Sequence, residues 1–136
     1  TVAGGTACLG EIANCAGDGK CSYTTRSVRG YAYASLSTGT EHNGKTSSLN
    51  GTPITQTELV RHMSRAFDTA LVYRPMSVED YKAKRLAELN EFIGPIIAAI
   101  YQSIRDGALD NASDYEAAAG RPHQRWDAYF NALRDA

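Results

Sequence analysis

The sequence predicts a mainly α-helical fold, a small bundle of three to five helices that carries a glycine- and cysteine-rich amino-terminal loop and a short β-hairpin or strand. Three observations lead to this prediction. Apolar residues between positions 78 and 104 recur mostly at steps of three and four, which is helical periodicity. Nine of the 12 glycines and all three cysteines lie in residues 1–51, whereas 22 of the 29 charged residues lie from Glu58 onward.

The length and charge of the chain limit its organisation and its partners. At 136 residues the chain is long enough for one domain with a real core, so we expect residues 1–52 to pack on a helical body of residues 53–136. A formal net charge of −1 gives no field that would attract nucleic acid. The uncharged run 92–101 is shorter than the roughly 20 apolar residues of a membrane span. We therefore expect neither a nucleic-acid partner nor a membrane span.

The amino-terminal loop contains Cys8, Cys15 and Cys21 at spacings that close small loops. One disulfide with one cysteine left over is the simplest oxidised arrangement, and the sequence does not specify which cysteines pair. Export followed by removal of a signal peptide would explain both the clustered cysteines and a first residue that is not Met. The expected location is secreted or periplasmic.

The segment 22–36 is the best strand candidate because its Tyr, Thr and Val residues favour extended structure. The following residues, 37–52, contain several turn signals, so we expect a long loop or a hairpin that turns at Asn43-Gly44. A loop of this length in a compact domain is often functional. It is the first region in which to seek a binding surface.

The helical body begins with Thr55-Gln56-Thr57-Glu58, the pattern of a capping box. This helix should end near Tyr73 because Pro75 disfavours helical geometry in the residue before it. Ser77 can cap the central helix, which we expect to kink at Pro95 and to be enclosed by protein between residues 92 and 101, where no charge occurs. Two further helices are expected over 111–119 and 122–134.

A catalytic reading of the chain uses Cys21 as a nucleophile with His42 or His62 as its base, and Glu58 orienting His62 from one helical turn away. The competing structural interpretation is a disulfide at Cys21 and a surface pair on the helix. The cysteine spacings of seven and six residues differ from the two-to-four step of structural zinc sites. We therefore expect no metal and no cofactor.

A second set of candidate residues combines tyrosine and arginine on the predicted strand: Tyr23, Arg26, Arg29, Tyr31 and Tyr33. Such side chains are enriched where proteins bind other proteins. The sequence thus predicts an exported, non-catalytic interaction or assembly module that docks other protein chains through its amino-terminal loop and strand. The alternative is a small secreted hydrolase or toxin domain that uses Cys21 with His42 or His62. A third possibility is small-molecule binding in an apolar pocket near Pro95, between the kinked central helix and the tyrosine strand.

Overall fold

The computed structural model describes residues 10–136, and within them it contains four short strands and six helices. In chain order these are β1 (Glu11–Asn14), β2 (Lys20–Cys21), α1 (Arg26–Ser37), β3 (Ile54–Thr55), α2 (Gln56–Phe67), β4 (Val72–Pro75), α3 (Val78–Glu88), α4 (Ile93–Arg105), α5 (Tyr115–Ala119) and α6 (Trp126–Asp135).

The strands form two separate two-stranded sheets. β1 and β4 pair in parallel, with Glu11 opposite Val72 and Asn14 opposite Pro75. β2 and β3 pair antiparallel, with Lys20 opposite Thr55. The prediction of a helical bundle is therefore wrong, because strands distant in sequence join the two parts of the chain. Local periodicity cannot reveal such pairing.

The predicted strand 22–36 is instead mostly helix α1. The Thr25 hydroxyl accepts a hydrogen bond from the N–H of Val28 at 3.3 Å and caps the helix. Val28 and Ala32, four residues apart, form its buried side. Of the two alternatives predicted for residues 37–52, the structure has the long loop, since residues 41–44 form a turn with no flanking strands.

The predicted capping box is confirmed. The Thr55 hydroxyl accepts from the N–H of Glu58 at 3.3 Å, and the Glu58 carboxylate accepts from the N–H of Thr55 at 3.0 Å. Helix α2 ends earlier than predicted, at Phe67, because Asp68 adopts a left-handed conformation with φ of 49°. The segment expected to complete the helix is the strand β4.

The central element breaks before Pro95 and is not kinked at it. Helix α3, capped by Ser77 as predicted, ends at Glu88, and α4 begins at Ile93. The carboxamide oxygen of Asn90 accepts a hydrogen bond from the N–H of Ile93 at 2.7 Å, which satisfies the first backbone donor of α4. Pro95 lies in the first turn of α4, where its missing N–H costs no helical hydrogen bond.

The largest apolar cluster joins β1 and β3 to α2 and α6, and its buried members are Ile12, Ile54, Leu59, Val60, Met63, Ala66 and Phe130. Beside it lies a buried polar network. The Asn14 amide donates to the Gln56 side-chain oxygen at 3.2 Å, and the Gln56 amide donates to the Tyr23 hydroxyl at 2.7 Å. The Tyr73 hydroxyl donates to the Asn14 side-chain oxygen at 2.8 Å. This network fixes the first residue of α2 to the β1–β4 sheet and to Tyr23, which follows β2.

In the part of the chain that the structure describes, no helix is both long enough and apolar enough to cross a membrane.

Candidate functional site

One face of α4 carries an exposed apolar surface, which we call the α4 strip: Phe92, just before the helix, and Ile93, Ile96 and Ile100. Their exposed fractions are 77%, 44%, 47% and 49%. The prediction that protein encloses residues 92–101 on all sides is therefore wrong for this face. Contiguous exposed apolar surface of this kind marks interaction or ligand sites in soluble proteins.

The opposite face of α4 is fixed against the rest of the protein. A Cβ atom added at Gly94 would lie 2.8 Å from the carbonyl oxygen of Arg85, so α3 and α4 approach too closely for any larger residue there. Tyr81 and Tyr101 pack edge to face with ring centroids 5.5 Å apart. The Cys15 thiol donates to the Ala98 carbonyl at 3.7 Å. The α4 strip is thus presented by a rigid support.

The α4 strip is electrically neutral along its length. Helix α4 has no charged residue before Arg105 at its end. At its other end, Glu88 pairs with Arg85 at 2.8 Å, whereas Glu91 forms no ion pair with any described residue. This surface can bind a flat apolar group, because contact removes apolar surface of both partners from water. It provides no cation that would bind an anion.

A second surface, which we call the α1 cleft, is a cavity of about 260 Å³ lined by Arg29, Tyr33, Ser47, Leu49 and Asn50. Arg29 and Tyr33 are two of the residues predicted to bind a partner. Because they lie four residues apart on a helix, they share one face. Ser47, Leu49 and Asn50, from the loop 37–52 that was expected from sequence to be functional, provide the other wall.

The other members of the predicted tyrosine and arginine set lie elsewhere. Tyr23 is half-buried and accepts from Gln56, and burial raises the pKa of its hydroxyl. Tyr31 stacks with Arg121, whose guanidinium carbon lies 3.3 Å from the ring centroid. Arg26 is exposed at the start of α1. The four members of the set that lie in α1 point in different directions around the helix axis, whereas a strand would have placed them on two faces.

Cys15 and Cys21 are both buried free thiols, and Cys8 lies outside the described residues. The expected disulfide is thus not formed between Cys15 and Cys21, and this removes the main support for export. Burial raises the pKa of both thiols above its ordinary value, which lowers the thiolate fraction.

The structure does not assemble the predicted catalytic group. Within residues 10–136 no hydrogen bond links Cys21 to His42 or His62. The Glu58 carboxylate is part of the helix cap, where it accepts a hydrogen bond from the Thr55 N–H. This hydrogen bond lowers the pKa of Glu58. No group of three His, Cys, Asp or Glu residues suited to a metal ion occurs among the described residues.

The sequence predicts core for the uncharged run 92–101, and it offers a small-molecule pocket near Pro95, between the central helix and the tyrosine strand, as a third possibility. It does not predict the exposed face that forms the α4 strip. The uncharged run equally fits a helix with one face on its own domain and the other on a ligand or partner.

Comparison with protein-family models and with curated protein sequences finds no match. Solved structures do match. A triphenylmethane reductase from Citrobacter sp., complexed with NADP(H), has 27% identity and a TM-score of 0.79 over 92% of this chain and 44% of its own. A second structure of that reductase has 30% identity, a TM-score of 0.80, and coverage of 92% and 45%. A nucleoside-diphosphate-sugar epimerase from Staphylococcus aureus has 25% identity, a TM-score of 0.80, and coverage of 90% and 44%.

These similarities correct the predictions about fold and function. The chain has the α/β fold of one part of these epimerase and reductase structures, which are Rossmann-like, and it spans less than half of their length. The predicted exported, non-catalytic docking module is wrong, as is the alternative of a secreted hydrolase or toxin. The predicted secreted or periplasmic location is wrong as well, because the neighbours are reductases and epimerases and the two described thiols are free.

Proposed function

We propose that this chain is the acceptor-binding part of an NADPH-dependent reductase. The observation that carries the proposal is the similarity to the triphenylmethane reductase complexed with NADP(H), at a TM-score of 0.79 over 92% of the chain. An NADPH-dependent quinone oxidoreductase from Escherichia coli has the same fold, with a TM-score of 0.80 and 24% identity over 91% of this chain and 45% of its own. Both neighbours are named as reductases of organic acceptors.

The residues of this chain do not fit the dinucleotide cofactor. The sequence contains no G-x-G-x-x-G fingerprint, whose glycines let the backbone approach a pyrophosphate. Helix α3, which follows the parallel strand β4, carries Glu79 and Asp80 in its first turn, and their charge opposes a pyrophosphate there. At the carboxyl end of β1, Asn14 and Tyr73 are bonded to each other. We therefore propose that the described residues do not hold the cofactor, and we assign no step of its chemistry to them.

The α4 strip provides the surface that an acceptor needs. The acceptors for which the neighbours are named, triphenylmethane dyes and quinones, contain conjugated rings. A flat ring laid along Phe92, Ile96 and Ile100 removes apolar surface from water on both partners. At about 25 cal/mol per Å², each 100 Å² of apolar surface buried contributes roughly 2.5 kcal/mol. The rigid packing of α4 on α3 limits the ordering cost of binding.

A titration of the full chain tests the proposal. Malachite green and 1,4-naphthoquinone serve as acceptor probes, followed by their absorption, and NADPH is titrated separately by its fluorescence. We expect saturable binding of both acceptors and no binding of NADPH. Ile96→Asp should weaken binding of the neutral 1,4-naphthoquinone by roughly tenfold, because it places a charge in the apolar contact surface; malachite green is a cation, which the new carboxylate also attracts. Leu133→Asp on α6, where the side chain is 46% exposed, is the matched control and should leave binding unchanged.

Two results would contradict the proposal. Failure of both acceptors to bind would remove the assigned function. Equal binding of 1,4-naphthoquinone by the Ile96→Asp and Leu133→Asp variants would remove the α4 strip as the site. Saturable NADPH binding to this chain would instead overturn the placement of the cofactor.

A further inference from the structure

The α1 cleft is an open surface depression that the proposed function does not use. One wall is helix α1, whose buried residues Val28 and Ala32 pack with Tyr115 and Ala119. Leu49, from the opposite wall, packs against this same cluster. Leu49 therefore connects the loop wall of the cleft to the apolar interior, while the other lining residues, apart from the ring of Tyr33, are polar.

Hydrogen bonds hold the loop wall of the α1 cleft in place. The Ser48 N–H donates to the Asp114 carboxylate at 2.9 Å, and the Asp114 N–H donates to the Ser48 carbonyl at 2.8 Å. The Asn50 side-chain amide donates to the Ala112 carbonyl at 3.3 Å. Both walls are thus fixed before any ligand binds, which lowers the cost of binding.

The charge in the α1 cleft is positive and uncompensated. Arg29 is its only ionisable cation, and no carboxylate is among its lining residues. Among residues 10–136, Arg29 forms neither an ion pair nor a side-chain hydrogen bond. The nearby Asp114 carboxylate is turned to the Ser48 N–H. A free guanidinium fork is matched to a carboxylate, which it can bind through two parallel hydrogen bonds.

The remaining lining residues favour a ligand that carries a flat apolar group beside its carboxylate. The ring of Tyr33, which is 55% exposed, and the side chain of Leu49 present apolar surfaces to a flat group. The Ser47 hydroxyl lies on the loop wall and can donate to an oxygen. At about 260 Å³, the cavity is smaller than the roughly 300–1,000 Å³ of sites for drug-sized molecules.

We propose that the α1 cleft binds a small aromatic carboxylate, with its carboxylate on Arg29 and its ring between Tyr33 and Leu49. This site is separate from the α4 strip in residues and in chemistry, since the strip is neutral and apolar. The proposal therefore stands or falls independently of the proposed reductase function.

Binding of benzoate to the full chain tests this site, with benzamide as its neutral analogue of the same shape. Titrations followed by backbone amide chemical shifts should place benzoate at residues 29, 33, 47, 49 and 50. We expect benzoate to bind about tenfold more tightly than benzamide, as hydrogen bonds to charged groups typically allow. Arg29→Gln should remove this difference. Arg26→Gln, an exposed arginine one turn earlier that does not line the cleft, should preserve it.

Four outcomes would overturn the proposal: no benzoate binding, equal affinity for benzoate and benzamide, retention of the difference in Arg29→Gln, or an equal loss in Arg26→Gln. The last would show a general attraction to the positive helix and no specific site. Tyr33→Ala separates the role of the ring, because it should weaken both ligands while leaving their ratio unchanged.

Discussion

Replacement of Gln56 by leucine tests the buried polar network that connects the β1–β4 sheet and Tyr23 to the start of α2. Gln56 is fully buried, with 0% of its surface exposed, and Asn14 is 2% exposed. Leucine has a similar size but cannot hydrogen-bond. It removes the acceptor of the Asn14 amide and the donor to the Tyr23 hydroxyl. Water cannot replace these partners without entering the core.

The magnitude follows from the two lost bonds. A buried polar group left without its partner costs about 1–3 kcal/mol, so Gln56→Leu should lower the free energy of unfolding by roughly 2–6 kcal/mol before any gain from the added apolar surface. Since domains have total stabilities of about 5–15 kcal/mol, this is a large fraction. The unfolding temperature should fall by roughly 3–5 °C for each kcal/mol lost.

Urea unfolding followed by the fluorescence of Trp126 measures this loss. Gln102→Leu, a substitution at an exposed position of α4, is the matched control and should change stability by less than about 0.5 kcal/mol. If Gln56→Leu were as stable as Gln102→Leu, the polar network would not contribute to stability and the reasoning would be refuted.

Three further predictions concern packing, charge and thiol reactivity. A Cβ at Gly19 would overlap the Ile104 carbonyl oxygen, so Gly19→Ala should cost roughly 2–4 kcal/mol in urea unfolding, whereas Gly39→Ala, with open space around it, should cost far less. A backbone N–H at the helix cap lowers the pKa of Glu58. The ionised Glu58 carboxylate therefore stabilises the fold above its unfolded-state pKa, and this stabilisation is lost as pH falls through its folded-state pKa. Glu58→Gln should lose less stability between neutral and acidic pH than the unsubstituted protein. An equal loss in both proteins would contradict this. Burial and a raised pKa should make Cys21 react with iodoacetamide much more slowly in the native chain than in urea, and equal rates would contradict the buried thiol.

The sequence predicted those parts of the fold that local chemistry determines. The capping box at Thr55 and Glu58 and the cap at Ser77 are present as predicted, because each needs only residues within one helical turn. Helix α1 was mistaken for a strand because its tyrosines favour extended structure. The spacing of Val28 and Ala32, four residues apart, favours a helix. This spacing determines the structure only because both residues pack against Tyr115 and Ala119, which are distant in sequence. The parallel pairing of β1 with β4 depends on tertiary structure and leaves no local signal.

The candidate sites were predictable only in part. Arg29 and Tyr33 were predicted as binding residues, and they line the α1 cleft, where binding itself stays a prediction. Residues 92–101 were predicted to be enclosed because they lack charge. Ile96 and Ile100 are nevertheless about half exposed. The proposed function accounts for this difference, since an acceptor covers the face that the chain itself leaves open.

The most direct test of the central proposal is a map of where an aromatic acceptor binds. Backbone and methyl chemical shifts of the full chain, recorded during titration with malachite green, report the contact surface residue by residue. We predict the largest changes at Phe92, Ile93, Ile96 and Ile100, with none of comparable size elsewhere on the protein. Changes centred on another surface, or no saturable change at all, would contradict the assignment of the α4 strip as the acceptor site.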